Sequence, residues 1–249
     1  MSTTVSASAK APVNRFVERW FFTSIALTML AISVAAFAPS IIETSERRAP
    51  LTPLVAVHGL VFFAWLGIFL VQSWLIATNH TTLHRRMGIA ACFVAATMLI
   101  LGYATFISMV RRGFDLSGDL KIEADPFGTL VFAPTDLLIF GVLFTTAVFY
   151  RRRTEIHRRL ILFANISLMG APLAHFMGHN PRLTAMPNIV AFPIWMFLLA
   201  AVGRDYLLEK RVRPLTLGLA LAFFLSGPLR ALIIGPSAWW HRFVVWLAG

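Results

Sequence analysis

Two histidines stand in the same setting at two places in this chain. Residues 81–88 read TTLHRRMG, and residues 151–160 read RRRTEIHRRL. Aligned on His84 and His157, Thr81 meets Thr154, Leu83 meets Ile156, and the pair Arg85-Arg86 meets Arg158-Arg159. A neutral imidazole is a good ligand for a haem iron, and two of them on facing helices suit its two axial positions. Arg85 and Arg158 would then neutralise the haem propionates. A second set of candidates lies elsewhere. In HFMGH, His175 and His179 are spaced i and i+4, on one face of a helix, a spacing that can hold one zinc ion. His58 offers a third ligand, and Asp136 a general base or an orienting carboxylate.

These residues must be positioned by membrane helices. The chain of 249 residues is 58% hydrophobic and 13% charged, whereas a soluble domain carries roughly twice that charge. Continuous apolar runs of spanning length fall near 20–40, 54–77, 87–110, 128–150, 159–178, 188–204 and 214–234. They do not alternate, so they predict helices and not barrel strands. The expected fold is an all-α integral membrane bundle of seven transmembrane helices. A polar cytoplasmic segment (1–19) precedes the seven-helix domain (20–234), and an aromatic interfacial tail (235–249) follows it. The run from Trp20 reads as an uncleaved first span. Trp239, Trp240 and Trp246 suit the aromatic belt.

Charge sets the direction. Lys10, Arg15, Arg19, Arg85, Arg86, Arg151 to Arg153, Arg158, Arg159, Arg204, Lys210, Arg211 and Arg213 fall on one side, and Arg47, Arg48, Arg111, Arg112, Lys121, Arg182 and Arg242 on the other. Most of the acids noted in the connections fall on that second side, in Glu43, Glu46 and the loop 111–128. Cytoplasmic loops collect Lys and Arg, so the N-terminus is expected in the cytoplasm and the C-terminus outside, in a cell inner membrane. The net charge of +11 then reflects topology and attraction to anionic lipid, not a nucleic-acid partner. The acids of 111–128 lack the spacing of a calcium loop. Cys92, the single cysteine, cannot form an internal disulfide.

The same topology divides the candidates by depth. At 1.5 Å per residue, His58, Asp136, His175 and His179 lie about 21–31 Å from the inner ends of their helices, in the outer half. His84 and His157 share the inner boundary. Pro172 is expected to bend the fifth span near His175. Arg230, near the outer end of the seventh span, is expected to snorkel outward. Gln72 and Asn165 are expected to hydrogen-bond between helices.

The second to fifth spans resemble the four-helix core of cytochrome b561-type membrane b-type cytochromes. In that core the second and fourth helices grip one haem, and His84 and His157 match that pair. The other pair departs from the pattern, since His58 would face Asp136 and not a histidine. The His-Arg-Arg-x-Gly turn is also similar to one in uncharacterised bacterial multispan proteins. The three histidines with Asp136 resemble the ligand logic of seven-span zinc hydrolases of the ceramidase and progestin-receptor-like group, without their serine partner. Three functions follow as expectations: a b-type haem protein carrying electrons in the membrane, a zinc-dependent membrane hydrolase, or a non-enzymatic subunit of a larger assembly or small transporter.

Overall fold

A computed structural model describes residues 12–42, 51–112, 125–178 and 190–249. Among these residues there are helices and no strands. Seven helices are long and apolar enough to cross a membrane. The chain therefore has the all-α, seven-span build of a multi-pass membrane protein.

The spans begin and end where local chemistry dictates. The first is α1 (Pro12–Ile42). The second, α2 (Pro53–Ala77), opens on Pro53, which has no N–H to leave unbonded, and on Thr52, whose hydroxyl accepts from the Val55 N–H at 3.3 Å. A tight turn leads to α3 (Thr81–Arg112). Asn79 supplies the left-handed backbone there, at φ 64°, a conformation that asparagine tolerates better than most residues. A one-turn α4 (Pro126–Thr129) precedes α5 (Phe132–Phe149).

The fifth span is broken in two, α6 (Thr154–Ser167) and α7 (Gly170–Gly178). The break has a cause in Pro172, which has no N–H for the Leu168 carbonyl four residues back. The backbone tightens instead, with Leu168 and Met169 donating to the carbonyls of Asn165 and Ile166, each at 3.1 Å. The sixth span is α8 (Ala191–Glu209). The seventh is α9 (Pro214–Leu229), which continues as a π-turn over Arg230–Ile234 just after Pro228. The amide of Gly235 closes that wide turn on the Arg230 carbonyl at 2.8 Å.

The fifth span is the hub, with 56% of its most apolar window buried. Its Leu162, Phe163, Ile166, Met169 and Leu173 form the largest core with residues of α1, α2, α8 and α9. A second core joins Trp65 of α2, Ala91, Ala95 and Met98 of α3, Phe140 of α5 and Ala164 of α6. Asn165, fully buried, ties these layers together: it accepts from Trp65 Nε1 at 3.0 Å and donates to the Ile161 carbonyl at 2.9 Å. Asn165 thus does link helices.

The tail follows the seventh span. It forms a helix, α10 (Ala238–Ala248), that packs on α3 and α4. Trp239 and Trp246 are exposed as a belt requires, but Trp240 is buried. Its indole N–H donates to the Phe127 carbonyl at 2.8 Å. An indole inside a core needs such an acceptor, and the end of the short α4 supplies it.

Candidate functional site

His84 lies in the first turn of α3, and His157 in the first turn of α6. Both helices begin several residues earlier than the apolar runs, which draws the two imidazoles inside the helical frame. They meet. Their ring centroids are 6.5 Å apart, with planes nearly perpendicular at 83°. His157 Nδ1 lies 2.8 Å from the Ala147 carbonyl. A carbonyl only accepts, so Nδ1 carries the proton and the neutral ring keeps its lone pair on Nε2. Among the described residues, His84 Nδ1 is buried without a hydrogen-bond partner, as is Gln72 Oε1 of the adjoining α2. The Gln72 backbone faces His84, and a Cβ on Gly88 would come within 3.8 Å of Gln72 Nε2. Gln72 is thus set beside the histidine pair and makes no bond between helices through Oε1. Arg85 is exposed at this end of the bundle. Arg158 donates to Glu155 through Nη2 at 2.6 Å, while its Nε has no partner among the described residues.

The outer candidates are arranged differently. His58 stacks on Phe62 of its own helix, centroids 4.2 Å apart, and faces the Leu101 backbone of α3. His175 packs against Phe37 of α1, at 4.7 Å, and Phe37 in turn contacts Phe63 of α2. Residues 58 and 63 point about 140° apart on a helix of 3.6 residues per turn. His58 and His175 are therefore presented to different neighbours. His179 lies outside the described residues. Among the described residues, no three His, Cys, Asp or Glu side chains form a group that could hold a metal ion.

Asp136 has a cation as its partner. Arg230 Nη1 donates to Asp136 Oδ1 and, at 3.0 Å, to Thr135 Oγ1. Arg230 thus turns inward and does not snorkel outward. The π-turn after Pro228 rotates its guanidinium onto α5, where it also lies over the Phe132 ring at 4.7 Å. The other carboxylate oxygen faces Gly170, at the break in the fifth span, where a Cβ would sit 2.9 Å from it. Ser167 donates to the Asp136 carbonyl at 3.2 Å. The ion pair is thus clamped between α5, the α6–α7 break and the seventh span.

A larger ionic network lies at the arginine-rich end, and the residues singled out above miss it. Arg159, 3% exposed, donates to Asp205 at 2.6 Å, Thr216 at 3.0 Å and Glu155 at 2.7 Å. Thr216 donates to Asp205 at 2.6 Å, and Arg213 pairs with Glu209 at 2.8 Å. This network ties α6, α8 and α9. The signal for it was in the sequence. Glu155 and Arg159, and Glu209 and Arg213, are i, i+4 pairs, and Asp205 is an acid amid arginines. Compared with protein-family models, curated proteins and solved structures, the chain gives no match in any of the three.

Proposed function

We propose that this chain is a b-type haem protein that moves electrons within the membrane, in which His84 and His157 would hold the haem iron. The observation that supports this most is the approach of the two imidazoles, 73 residues apart in sequence, to 6.5 Å. With metal–nitrogen bonds of about 2.0 Å, two imidazoles sharing one metal ion hold their ring centres about 5–6 Å apart. The polar atoms around them fit that role. The Ala147 carbonyl fixes the His157 tautomer so that Nε2 is the donor atom, and a carbonyl in that position makes the ring a stronger base. His84 has no such fixed partner: among the described residues its Nδ1 is buried and unbonded, with the Gln72 backbone beside the ring. Arg85 offers an exposed cation to a propionate at the same boundary. Haem, when bound, supplies a one-electron couple. The protein's own part is to present two imidazoles at the starts of α3 and α6.

The hydrolytic alternative gains no comparable support, because the carboxylate assigned as its base is already neutralised by Arg230. Three variants test the proposal. His84→Ala and His157→Ala each lose the Soret band and the reduced α band, while His58→Ala keeps them. Retention of the full spectrum in both His84→Ala and His157→Ala would falsify the ligand assignment.

A further inference from the structure

Arg204 sits in the sixth span with its side chain 3% exposed, beside the network at the arginine-rich end. Among the described residues its one ionic contact is Nη1 to Asp205 Oδ1 at 3.4 Å, and Arg159 already holds that oxygen at 2.6 Å. Its Nε and Nη2 are buried and have no hydrogen-bond partner among those residues. A guanidinium has five N–H groups, so three of those on Arg204 are buried and unmet. The flat faces of Phe22 and Phe21, at 5.0 and 5.7 Å, hold the group in place but accept no conventional hydrogen bond. The adjoining guanidinium of Arg158 leaves its Nε in the same condition. Among Arg158, Arg159, Arg204 and Arg213, four cations share the three carboxylates Glu155, Asp205 and Glu209. Counting Glu18 and Arg211 on the rim leaves the same excess of one positive charge.

A buried charge without hydrogen bonds is costly, and a native fold keeps one where something completes it. Arg204 and Arg158 both line a cavity of about 650 Å³ that opens at this end of the bundle. Guanidinium forks match the oxygens of planar or tetrahedral oxyanions. Here two forks come from different helices, α6 and α8. A carboxylate offers two oxygens in one plane, whereas a phosphate offers three or four in different directions. We infer that this cavity is a phosphate site, with Arg204 as its anchor and Arg158 as its second donor. Glu155 and Glu209 hold the neighbouring arginines in place, and the excess positive charge is what the phosphate neutralises. The phosphate could be that of an anionic lipid headgroup or of a soluble phosphoanion. The site is independent of the haem proposal.

The test uses the full chain in mild detergent, as wild type, Arg204→Gln, Arg204→Lys and, as a control on the same face, Arg86→Gln, whose side chain is exposed. Equilibrium dialysis with radiolabelled inorganic phosphate tests the soluble source. Native mass spectrometry after exposure to micelles of one part phosphatidylglycerol to three parts phosphatidylcholine tests the lipid source. Saturable phosphate binding that weakens at least tenfold in Arg204→Gln, and is unchanged in Arg86→Gln, assigns a soluble phosphoanion. Selective retention of phosphatidylglycerol, lost in Arg204→Gln and kept in Arg86→Gln, assigns the headgroup. Arg204→Lys keeps the charge without the fork and should fall between wild type and Arg204→Gln. If Arg204→Gln does not elute as a folded species, Arg158→Gln carries the same expectation, because that side chain is 31% exposed. Absence of binding with both probes, or equal losses in the Arg204 and Arg86 variants, overturns the assignment.

Discussion

Replacing Asp136 by asparagine leaves Arg230 as a cation with no carboxylate. The Arg230 and Asp136 side chains are 12% and 16% exposed, so water can do little to compensate. Arg230 keeps bonds to Thr135 Oγ1 at 3.0 Å, to the Ser226 carbonyl at 3.2 Å and to Ser226 Oγ at 3.4 Å, but none of these is charged. Breaking a buried pair from one side costs about 3–5 kcal/mol. The residual exposure and the three surviving bonds place this case near the low end, about 3 kcal/mol. For a chain of this size that corresponds to a fall in Tm of about 6–12 °C. Arg230→Met should cost a similar amount, because it strands the carboxylate. The double variant Asp136→Leu with Arg230→Met removes both charges and should recover most of the loss, as apolar replacements of buried pairs do. The assay is the fraction of each purified variant that still elutes as a monodisperse species after heating in detergent. Single variants melting within about 1 °C of wild type, or a double variant losing as much as both singles together, would refute the clamp.

Four further substitutions probe the remaining packing. Asp205→Ala removes the main partner of the more deeply buried Arg159 and should cost more than Asp136→Asn, about 3–5 kcal/mol in the same heating assay. Asn165→Leu strands the buried Trp65 indole N–H and should cost about 1–3 kcal/mol, with a change in the near-ultraviolet tryptophan circular dichroism. Gly170→Ala would put a methyl group 2.9 Å from Asp136 Oδ2, so the carboxylate must turn away from Arg230 and the Tm should fall. Gly203→Ala meets nothing within 4 Å and should be neutral or raise stability by about 0.5–1 kcal/mol, as expected inside a helix.

What could be read from the sequence alone follows from one-dimensional physics. Continuous apolar runs specify spans because nothing else satisfies the backbone in lipid, and all seven are present. The break at Leu168 follows from Pro172, since a missing N–H acts four residues back regardless of context. The direction in which Arg230 points was not legible. An arginine near a helix end can snorkel or turn inward, and the choice here depends on a π-turn and on Asp136 in a span 94 residues away. The same holds for His58 and His175, whose depths agree but whose azimuths are set by packing on Leu101 and Phe37. The acid–arginine network was half legible. Its i, i+4 pairs are local, but the coupling of Arg159 to Asp205 and Thr216 needs three helices to come together. The His84–His157 pair lies between these cases. The repeated cassette signals two similar helix starts, and the α2–α3 and α5–α6 hairpins bring those starts to the same end of the bundle.

The most direct test of the central claim is a pyridine haemochrome measurement on protein purified from cells supplied with haem. Haem b at about one per chain, reduced to less than a tenth of that in His84→Ala and in His157→Ala, is the predicted result. Wild-type protein that is folded, monodisperse and free of haem under the same conditions would contradict it.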